Sequence, residues 1–494
     1  MPRFSARLAT QSATTKLAGS IIDRATGEQI AAKVQVVGST GRFIHPPEAI
    51  LKVGSGEPFF YADGVFEVTV PRGPTRVIVE RGTEYVPAVK DLEVPSRGAV
   101  AVEIELDRWT ELAERGWHPG NTHIHYDDEE SDPDERLRLD PRVEDLRMTA
   151  ISVLRRWDYD YASNKYPPGM LTDFSSAHHY VQCGEENRHN GQEADESTGY
   201  GHIMLLSIRN VVEPVSRGML VDAFDPDYPP LCYACDDTHR QGGIVIWCHN
   251  GQGMEAPVAA VLGKLDAFNL FDPNWNEAEY DIYYRMLNAG LRLPASTGSD
   301  WYISSANRVY ADTGAGFEYE SWLAALRNGK TFITNGPVVY LSVNEQGPGS
   351  EISANPGDHV FVEIAWESHY PVRKAEILVN GRIAATQTFR EISTSGKLKT
   401  DVIADSDSWV AARLFSADRD SFAQPMFAHT SPVYVTVARD GPHKSEAASS
   451  FVDAIETSME WVRKKGKFYT DTQRNEVIDL FREGQDRYRE MIGG

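Results

Sequence analysis

Two histidines separated by one residue, His123 and His125, are the residues of this sequence best suited to bind a metal ion together. If residues 120–125 form a strand, side chains two positions apart point to the same side. Both imidazoles could then bind one ion. A pair of packed or solvated histidines is the alternative, because this spacing alone is a weak signal.

Further donors follow or begin apolar segments elsewhere in the chain. Glu186 follows residues 183–185, His202 follows Gly201, His249 ends the apolar run 244–248, and Asp300 ends the segment 293–299. In a parallel α/β barrel, residues just past the strand ends meet at one face. Imidazole nitrogens combined with carboxylate oxygens suit zinc, manganese or iron. We therefore expect a metal site formed by six residues: His123, His125, Glu186, His202, His249 and Asp300.

The elements that would position these donors alternate between residues 109 and 341. Apolar strand patterns occur at 151–154, 202–208 and 244–248, and apolar helix stripes at 258–265, 282–287 and 322–326. This alternation predicts an α/β fold with a parallel β/α barrel or sheet. Residues 158–200 and 209–240 are interpreted as long loops, and His178, His179 and His189 as solvated loop residues.

The segments on either side of residues 109–341 have a different pattern of apolar and polar residues. Residues 16–108 and 342–440 show short alternating runs separated by turns, as at 33–37, 65–70 and 360–364, and each predicts a β-sandwich. Residues 441–494 carry two helical stripes and predict a helical tail. Residues 1–15 are interpreted as a disordered N-terminus. The expected architecture is thus a barrel over 109–341, flanked by two β-sandwiches and a C-terminal helical tail.

The ordered set of short motifs resembles that of a known family. Residues 120–125, 184–186, 201–202, 248–249 and 297–300 look like the motifs of the PHP superfamily, and with Thr-Asn-Gly-Pro at 334–337 they are most similar to its CehA/McbA-type metallohydrolases. Residues 19–30 resemble the opening of carboxypeptidase regulatory-like β-sandwiches. The resemblance implies a distorted β/α barrel that binds one to three metal ions and hydrolyses phosphate esters, carbamate esters or related carbonyl substrates.

Carried over by position, the resemblance assigns individual roles. His123, His125, Glu186 and Asp300 would form the first metal site, and His202 and His249 would bind a second ion that Glu186 bridges. Two family imidazoles are missing, because residues 154–158 lack a Thr-Asp-His motif and residues 299–302 lack the final histidine. We therefore expect one or two divalent ions, zinc first, with manganese or iron as alternatives.

The same residues suggest a mechanism. A divalent cation lowers the pKa of a bound water to ~7. Asp300 or Glu186 could accept the proton, and His249 could bind the ion or protonate the leaving group. Arg155 and Tyr302 are candidates to stabilise developing negative charge, although a surface ion pair is the alternative for the arginine.

Composition restricts the partners. The 494 residues include 49 Lys and Arg against 72 Asp and Glu, a net charge of −23. Such a surface disfavours nucleic acid and anionic membranes, and no apolar run reaches the ~18 residues of a membrane helix. Four cysteines are too few for a disulfide scaffold, and no secretory signal is recognised, so a cytoplasmic location is expected. A homo-oligomer is left open.

Three functions are compatible with the sequence. The favoured one is a metal-dependent hydrolase that cleaves an ester, carbamate or amide bond of a small molecule. A phosphoesterase on the same scaffold is the second, and a non-catalytic binding or assembly protein with a degenerate barrel is the third. The missing imidazoles and the acidic neighbourhood at residues 127–130 favour the first over the second.

Overall fold

The computed structural model describes residues 14–157, 159–191, 199–249, 253–273, 280–314 and 316–493. These residues divide into two compact units. The first contains the described residues of Met1–Lys52, Glu57–Glu111 and Arg138–Asp145, and the second contains those of Val53–Gly56, Leu112–Leu137 and Leu146–Gly494. Of residues 1–15, which were predicted to be disordered, residues 1–13 lie outside the described residues. Thr14 begins the first strand.

In the first unit, two β-sheets enclose one apolar core. Its strands are β1 (Thr14–Asp23), β2 (Ala31–Val37), β3 (Phe43–Ile44), β4 (Phe60–Asp63), β5 (Val65–Pro71), β6 (Gly73–Glu80), β7 (Ala88–Val94) and β8 (Ala99–Leu106). One sheet has the order β5-β1-β8, and the other has the order β3-β2-β6-β7 with β4 paired to β2. The strands predicted at 33–37 and 65–70 are confirmed, and β5 buries Phe66, Val68 and Val70 in alternation with exposed neighbours.

The second unit contains the strands and helices that position the candidate site. Its strands are β9 (Trp117–Ile124), β10 (Met148–Val153), β11 (Gly169–Met170), β12 (Tyr180–Asn190), β13 (Gly201–Leu206), β14 (Ser216–Gly218), β15 (Ile244–Trp247), β16 (Ala267–Asn269), β17 (Ala295–Ser296), β18 (Arg308–Asp312), β19 (Thr331–Thr334), β20 (Val338–Val343), β21 (Glu351–Ser353), β22 (Asp358–Val379), β23 (Arg382–Ala404), β24 (Ser408–Arg419), β25 (Pro425–Thr430) and β26 (Val433–Thr436). Its helices are α2 (Leu231–Arg240), α3 (Ala256–Val261), α4 (Asp281–Asn288), α5 (Tyr319–Arg327), α6 (Lys444–Lys464) and α7 (Asp471–Gly493), while α1 (Pro133–Val143) has residues in both units.

The predicted α/β fold with a parallel β/α barrel is wrong. Strands make up 42% of the structure and helices 21%. The strands form one large curled sheet of mixed direction: β9, β10 and β12 are parallel, β12, β13 and β15 are successively antiparallel, and β18 is antiparallel to both β9 and β19. Apolar periodicity had identified the separate strands and helices, but it carries no information about which strands pair or in which direction. The parallel direction had been inferred from the helices between the strands.

The strands of residues 338–436 continue the same sheet. Strand β19 pairs with β25 in antiparallel register, with Ile333 opposite His429. Strands β22 and β23 form a long hairpin, and β22 also pairs with β20 and β24. The strand predicted at 360–364 lies within β22, so that prediction is confirmed.

Three helix stripes and the helical tail predicted from the sequence match α3, α4, α5, α6 and α7. The two tail helices pack on each other and on the core that covers the sheet, through buried Phe451, Ile455, Phe481 and Tyr488. The Tyr488 hydroxyl donates to the carbonyl oxygen of Pro257 in α3 at 3.0 Å. Among the described residues, no helix combines the length and the apolar character that a membrane span requires.

Candidate metal centre

The imidazoles of His123, in β9, and of His125, directly after this strand, converge at their Nε2 atoms. His123 and His125 are both buried, and their Nε2 atoms lie 2.8 Å apart. Their rings are perpendicular, with centroids 4.7 Å apart. The Nδ1 atom of each ring has no hydrogen-bond partner among the described residues. The period of two along a strand therefore produces what the sequence indicated, two imidazoles that present the same nitrogen to one point.

Asp300 reaches these imidazoles through the backbone. The N–H groups of Ser299 and Asp300 both donate to the carbonyl oxygen of His123, at 3.0 and 2.9 Å. The approach requires a glycine at position 298, because a Cβ there would lie 2.4 Å from the Cβ of His123. Asn121 donates from its side-chain amide to the Ser299 hydroxyl and so holds the same loop. The carboxylate Oδ1 of Asp300 lies 3.5 Å from His123 Nε2 and 3.6 Å from His125 Nε2.

Glu186 in β12 joins this group to a second set of imidazoles. One carboxylate oxygen, Oε2, lies 3.1 Å from His125 Nε2. The other, Oε1, lies 3.0 Å from His202 Nδ1 and 3.2 Å from His249 Nε2. His202 is the second residue of β13, which pairs with β12, and His249 follows β15. The structure thus brings together all six residues that the sequence predicted as ligands.

The separations between donor atoms fit a shared cation. Two ligands bound at ~2.05 Å with a tetrahedral angle lie ~3.3 Å from one another. The separations around the first group run from 2.8 Å between the two Nε2 atoms to 4.0 Å between His123 Nε2 and Glu186 Oε1. Two sets of residues hold their donor atoms within 4.8 Å of one another, one formed by His123, His125 and Asp300 and one by His123, Glu186, Cys248 and His249.

The tautomers of His202 and His249 support the same interpretation. His249 Nδ1 lies 3.2 Å from Asp272 Oδ2, which also accepts from the His249 backbone N–H at 3.1 Å. His202 Nε2 lies 2.7 Å from Asn190 Oδ1. When both imidazoles are neutral, a proton on each of these nitrogens leaves the lone pairs of His249 Nε2 and His202 Nδ1 facing Glu186. Lone pairs that face a carboxylate are stabilised by a cation between them.

The backbone at two of the candidate ligands is strained. His249 has φ of 54° and Asp300 has φ of 49°, in the left-handed region that residues other than glycine seldom occupy. Each follows a short strand that enters the cluster, and the left-handed turn redirects the chain at that point. Strain of this kind persists where the surrounding structure imposes it, and it concentrates at functional sites.

Burial and neighbouring charges separate the protonation states of the cluster. Burial lowers the pKa of His202 to about 4 and that of His123 well below its usual value. Burial opposes the protonation of His249, yet Asp272, Glu186 and Asp300 raise its pKa well above the usual range. For Glu186, burial acts to raise the pKa, but Arg188 and His202 lower it well below the usual value. Burial raises the pKa of Asp300 to about 6.

Two of the residues predicted as catalytic are not brought to the cluster. The guanidinium of Arg155 is 54% exposed and pairs with Glu213 at 2.8 Å, which is the surface ion pair that the sequence had left as the alternative. Tyr302 is half-buried, and its ring stacks on Phe422 at 6.3 Å. Neither side chain has a contact with the six donors among the described residues.

Sequence reasoning missed Arg188, Asp272, Asn190 and Cys248. Arg188 is buried, and its Nη1 atom lies 3.5 Å from Glu186 Oε2. It belongs to β12, which runs through the segment interpreted as a long loop, and His189, expected to be solvated, is buried there against Asp227. The side chains of this strand contact the cluster and the residues around it. The strand is therefore polar and lacks the apolar alternation by which strands are recognised. The only signal was Glu186, Arg188 and Asn190 at a spacing of two.

Aromatic side chains flank the donors. Trp301 lies against the His125 ring at 4.9 Å between centroids, and Tyr161 lies against Trp301 at 5.5 Å. Tyr161 is buried, whereas Tyr159, stacked on it at 5.7 Å, is exposed. These three aromatic residues, Trp301, Tyr161 and Tyr159, form an aromatic wall that runs from the histidine pair to the surface.

Comparison with known proteins adds no argument about function. No protein-family model matches the chain, and no curated protein matches it. Among solved structures, a streptococcal ancillary pilin is similar at 13% identity and a TM-score of 0.15, over 24% of this chain. The match spans 37% of the pilin chain, so it covers about a third of that protein's length.

Proposed function

We propose that the protein is a metal-dependent hydrolase that cleaves an ester, carbamate or amide bond of a small molecule. The observation that carries the proposal is the convergence of six buried or nearly buried donors from five places in the chain around one carboxylate, Glu186. Buried charged groups are stable only when they are paired or bind metal. The nitrogen-rich donor set favours zinc, with manganese or iron as alternatives, and one or two ions.

The surroundings of each residue indicate its role in the proposed reaction. A bound divalent ion would supply a water whose pKa is lowered to ~7. Glu186, whose pKa lies well below its usual value, stays ionised as a ligand that faces both groups of histidines. Asp300, with a pKa of about 6, is suited to accept a proton near neutral pH. Asp272 fixes the ring of His249 and keeps its Nε2 directed at Glu186.

Solvent exposure differs among the six donors. The side chains of His123 and His125 are fully buried, whereas those of His202 and His249 are 15% and 10% exposed. Because the imidazoles of His123 and His125 are fully buried, bulk water would not compete with them for the ion.

A phosphoesterase is the second candidate, and Arg188 is the observation that favours it. This buried guanidinium beside Glu186 offers N–H donors to a phosphoryl group as readily as to the oxyanion of a carbonyl substrate. The same cluster would serve both reactions. The resemblance of the sequence motifs to the CehA/McbA-type branch of the PHP superfamily supports the carbonyl reaction, and we propose that relationship as well.

Parallel assays on zinc-, manganese- and iron-loaded protein test the proposal. We expect hydrolysis of p-nitrophenyl acetate or a naphthyl carbamate, and loss of that activity after chelation. Turnover of p-nitrophenyl phosphate alone would favour the phosphoesterase. A purified protein that contains no metal, takes up none and hydrolyses none of the three would favour a binding protein. The four buried, unpaired cysteines agree with the proposed cytoplasmic location.

A further inference from the structure

Arg188 is a buried cation that contacts Glu186 and the Tyr161 hydroxyl, and part of its hydrogen-bonding capacity is unused. Its residue is 5% exposed, and its Nη1 atom lies 3.5 Å from Glu186 Oε2. Its Nε and Nη2 atoms have no hydrogen-bond partner among the described residues. Leaving two donor nitrogens of a buried guanidinium unpaired costs free energy that a bound anion would recover.

The position of Arg188 in the strand directs it to the cluster. Arg188 and Glu186 are two residues apart in β12, so their side chains lie on the same side of the strand. Asn190, two residues further, contacts His202 from that side. The guanidinium thus stands in line with the ligands, next to the oxygen of Glu186 that faces His125.

The aromatic wall lies on the same side. Burial raises the pKa of the Tyr161 hydroxyl, and the charge of Arg188 and a hydrogen bond from its guanidinium act to lower that pKa. Trp301 connects Tyr161 to the ring of His125. A group held by Arg188 would therefore lie beside both the metal ligands and a planar apolar surface, where Tyr159 continues the wall to the solvent.

We propose that Arg188 is the anion-binding residue of the substrate pocket, and that the substrate carries an oxyanion, a carboxylate or a phosphate group, close to the bond that is hydrolysed. This inference rests on the proposed function for the reaction but not for the binding. A guanidinium holds either oxyanion through two parallel N–H···O bonds, which a lysine ammonium cannot reproduce. Arg188 orients the substrate, and the cluster of histidines and carboxylates carries out the reaction.

Anion binding provides the first test. Isothermal titration calorimetry with succinate and with inorganic phosphate is carried out on zinc-loaded wild type and on Arg188→Met, Arg188→Lys and Arg209→Met, the last being a matched exposed arginine. We expect affinity for at least one anion to fall ~10- to 100-fold in Arg188→Met, less in Arg188→Lys, and not in Arg209→Met. Which of the two anions binds identifies the oxyanion. Absence of binding in the wild type, or binding that Arg188→Met leaves unchanged, would overturn the proposal.

Substrate preference provides a second test that does not require the variant to fold. The wild type is compared on p-nitrophenyl acetate and mono-p-nitrophenyl succinate, which share a leaving group and differ in a carboxylate. We expect a KM at least tenfold lower for the succinate ester, with similar kcat. If succinate binds in the first test, equal KM values would contradict the role of Arg188 while leaving the hydrolase proposal intact, and Arg188-dependent anion binding without hydrolysis of any ester would do the reverse.

Discussion

The backbone N–H of Asp300 donates a hydrogen bond of 2.9 Å to the carbonyl oxygen of His123, although the two residues lie far apart in the sequence. This bond places a carboxylate within 3.5 Å of an imidazole nitrogen on the neighbouring strand. The left-handed backbone at Asp300 and the glycine at position 298 make the approach sterically feasible. A candidate metal site of this kind is formed by the fold, since no local segment contains both donors.

Removing a donor from the first group should abolish metal binding and activity. For His123→Ala and Asp300→Asn we expect zinc content near zero after dialysis and a rate of ester hydrolysis at the uncatalysed background. Asparagine is chosen at 300 because it tolerates a positive φ. The melting temperature should stay within a few degrees of the metal-free parent. The matched control is His359→Ala, an exposed histidine that pairs with Asp401, and zinc retention by either site variant would count against the assignment.

The residue that supports His249 should tune metal affinity without being a ligand. Asp272 holds the His249 ring by Nδ1 and also accepts from its backbone N–H. For Asp272→Asn we expect zinc affinity to fall ~10- to 100-fold, measured by competition with a chromogenic chelator. Asp401→Asn, which removes the carboxylate partner of the exposed His359, provides the matched control. An unchanged affinity in Asp272→Asn would show that His249 is not a ligand.

Metal removal should lower thermal stability. The cluster places the buried carboxylates of Glu186 and Asp300 against four imidazoles, and a cation bound between them would hold these donors together. A ligand that binds only the native state stabilises it by ~2.7 kcal/mol at a concentration 100 times its Kd. We expect chelation to lower the melting temperature by a few degrees, and zinc to restore it. Identical melting curves with and without zinc at micromolar concentrations would contradict this expectation.

The strands at the candidate site show what the sequence could and could not predict. The spacing of His123 and His125, and the apolar runs before His249 and Asp300, identified the residues that converge, because each lies in or next to a recognisable strand. The direction of the strands was missed, because hydrogen-bond partners far apart in sequence leave no mark on local periodicity. Arg188 was missed for a related reason. Strand β12 is polar although it is buried, and a polar segment is predicted as a loop when only its composition is considered.

His429 should make the protein sensitive to acid independently of the metal. It is buried in β25, its Nε2 lies 2.8 Å from the Tyr284 hydroxyl, and burial lowers its pKa to about 3. Below pH ~6.5 the unfolded chain takes up a proton there that the native state refuses, so the free energy of unfolding falls by ~1.4 kcal/mol per pH unit until the native pKa is reached. The stabilising contribution is therefore complete above pH ~6.5 and is lost on acidification.

The variant His429→Phe removes this proton uptake. With chelator present, we expect the decrease in melting temperature between pH 7 and pH 5 to be smaller in His429→Phe than in the wild type. His359→Ala serves as the control for an exposed histidine. An equally steep decrease in His429→Phe would show that other groups account for the acid sensitivity.

Crystallographic anomalous scattering at the zinc edge, recorded from zinc-loaded protein, tests the existence of the metal centre most directly. We predict a peak within ~2.3 Å of the Nε2 atoms of His123 and His125 and of a carboxylate oxygen of Asp300 or Glu186. A second peak, if present, should lie between Glu186 Oε1, His202 and His249. Zinc found only at other places on the protein, with the Nε2 atoms of His123 and His125 bound to no ion, would contradict the account.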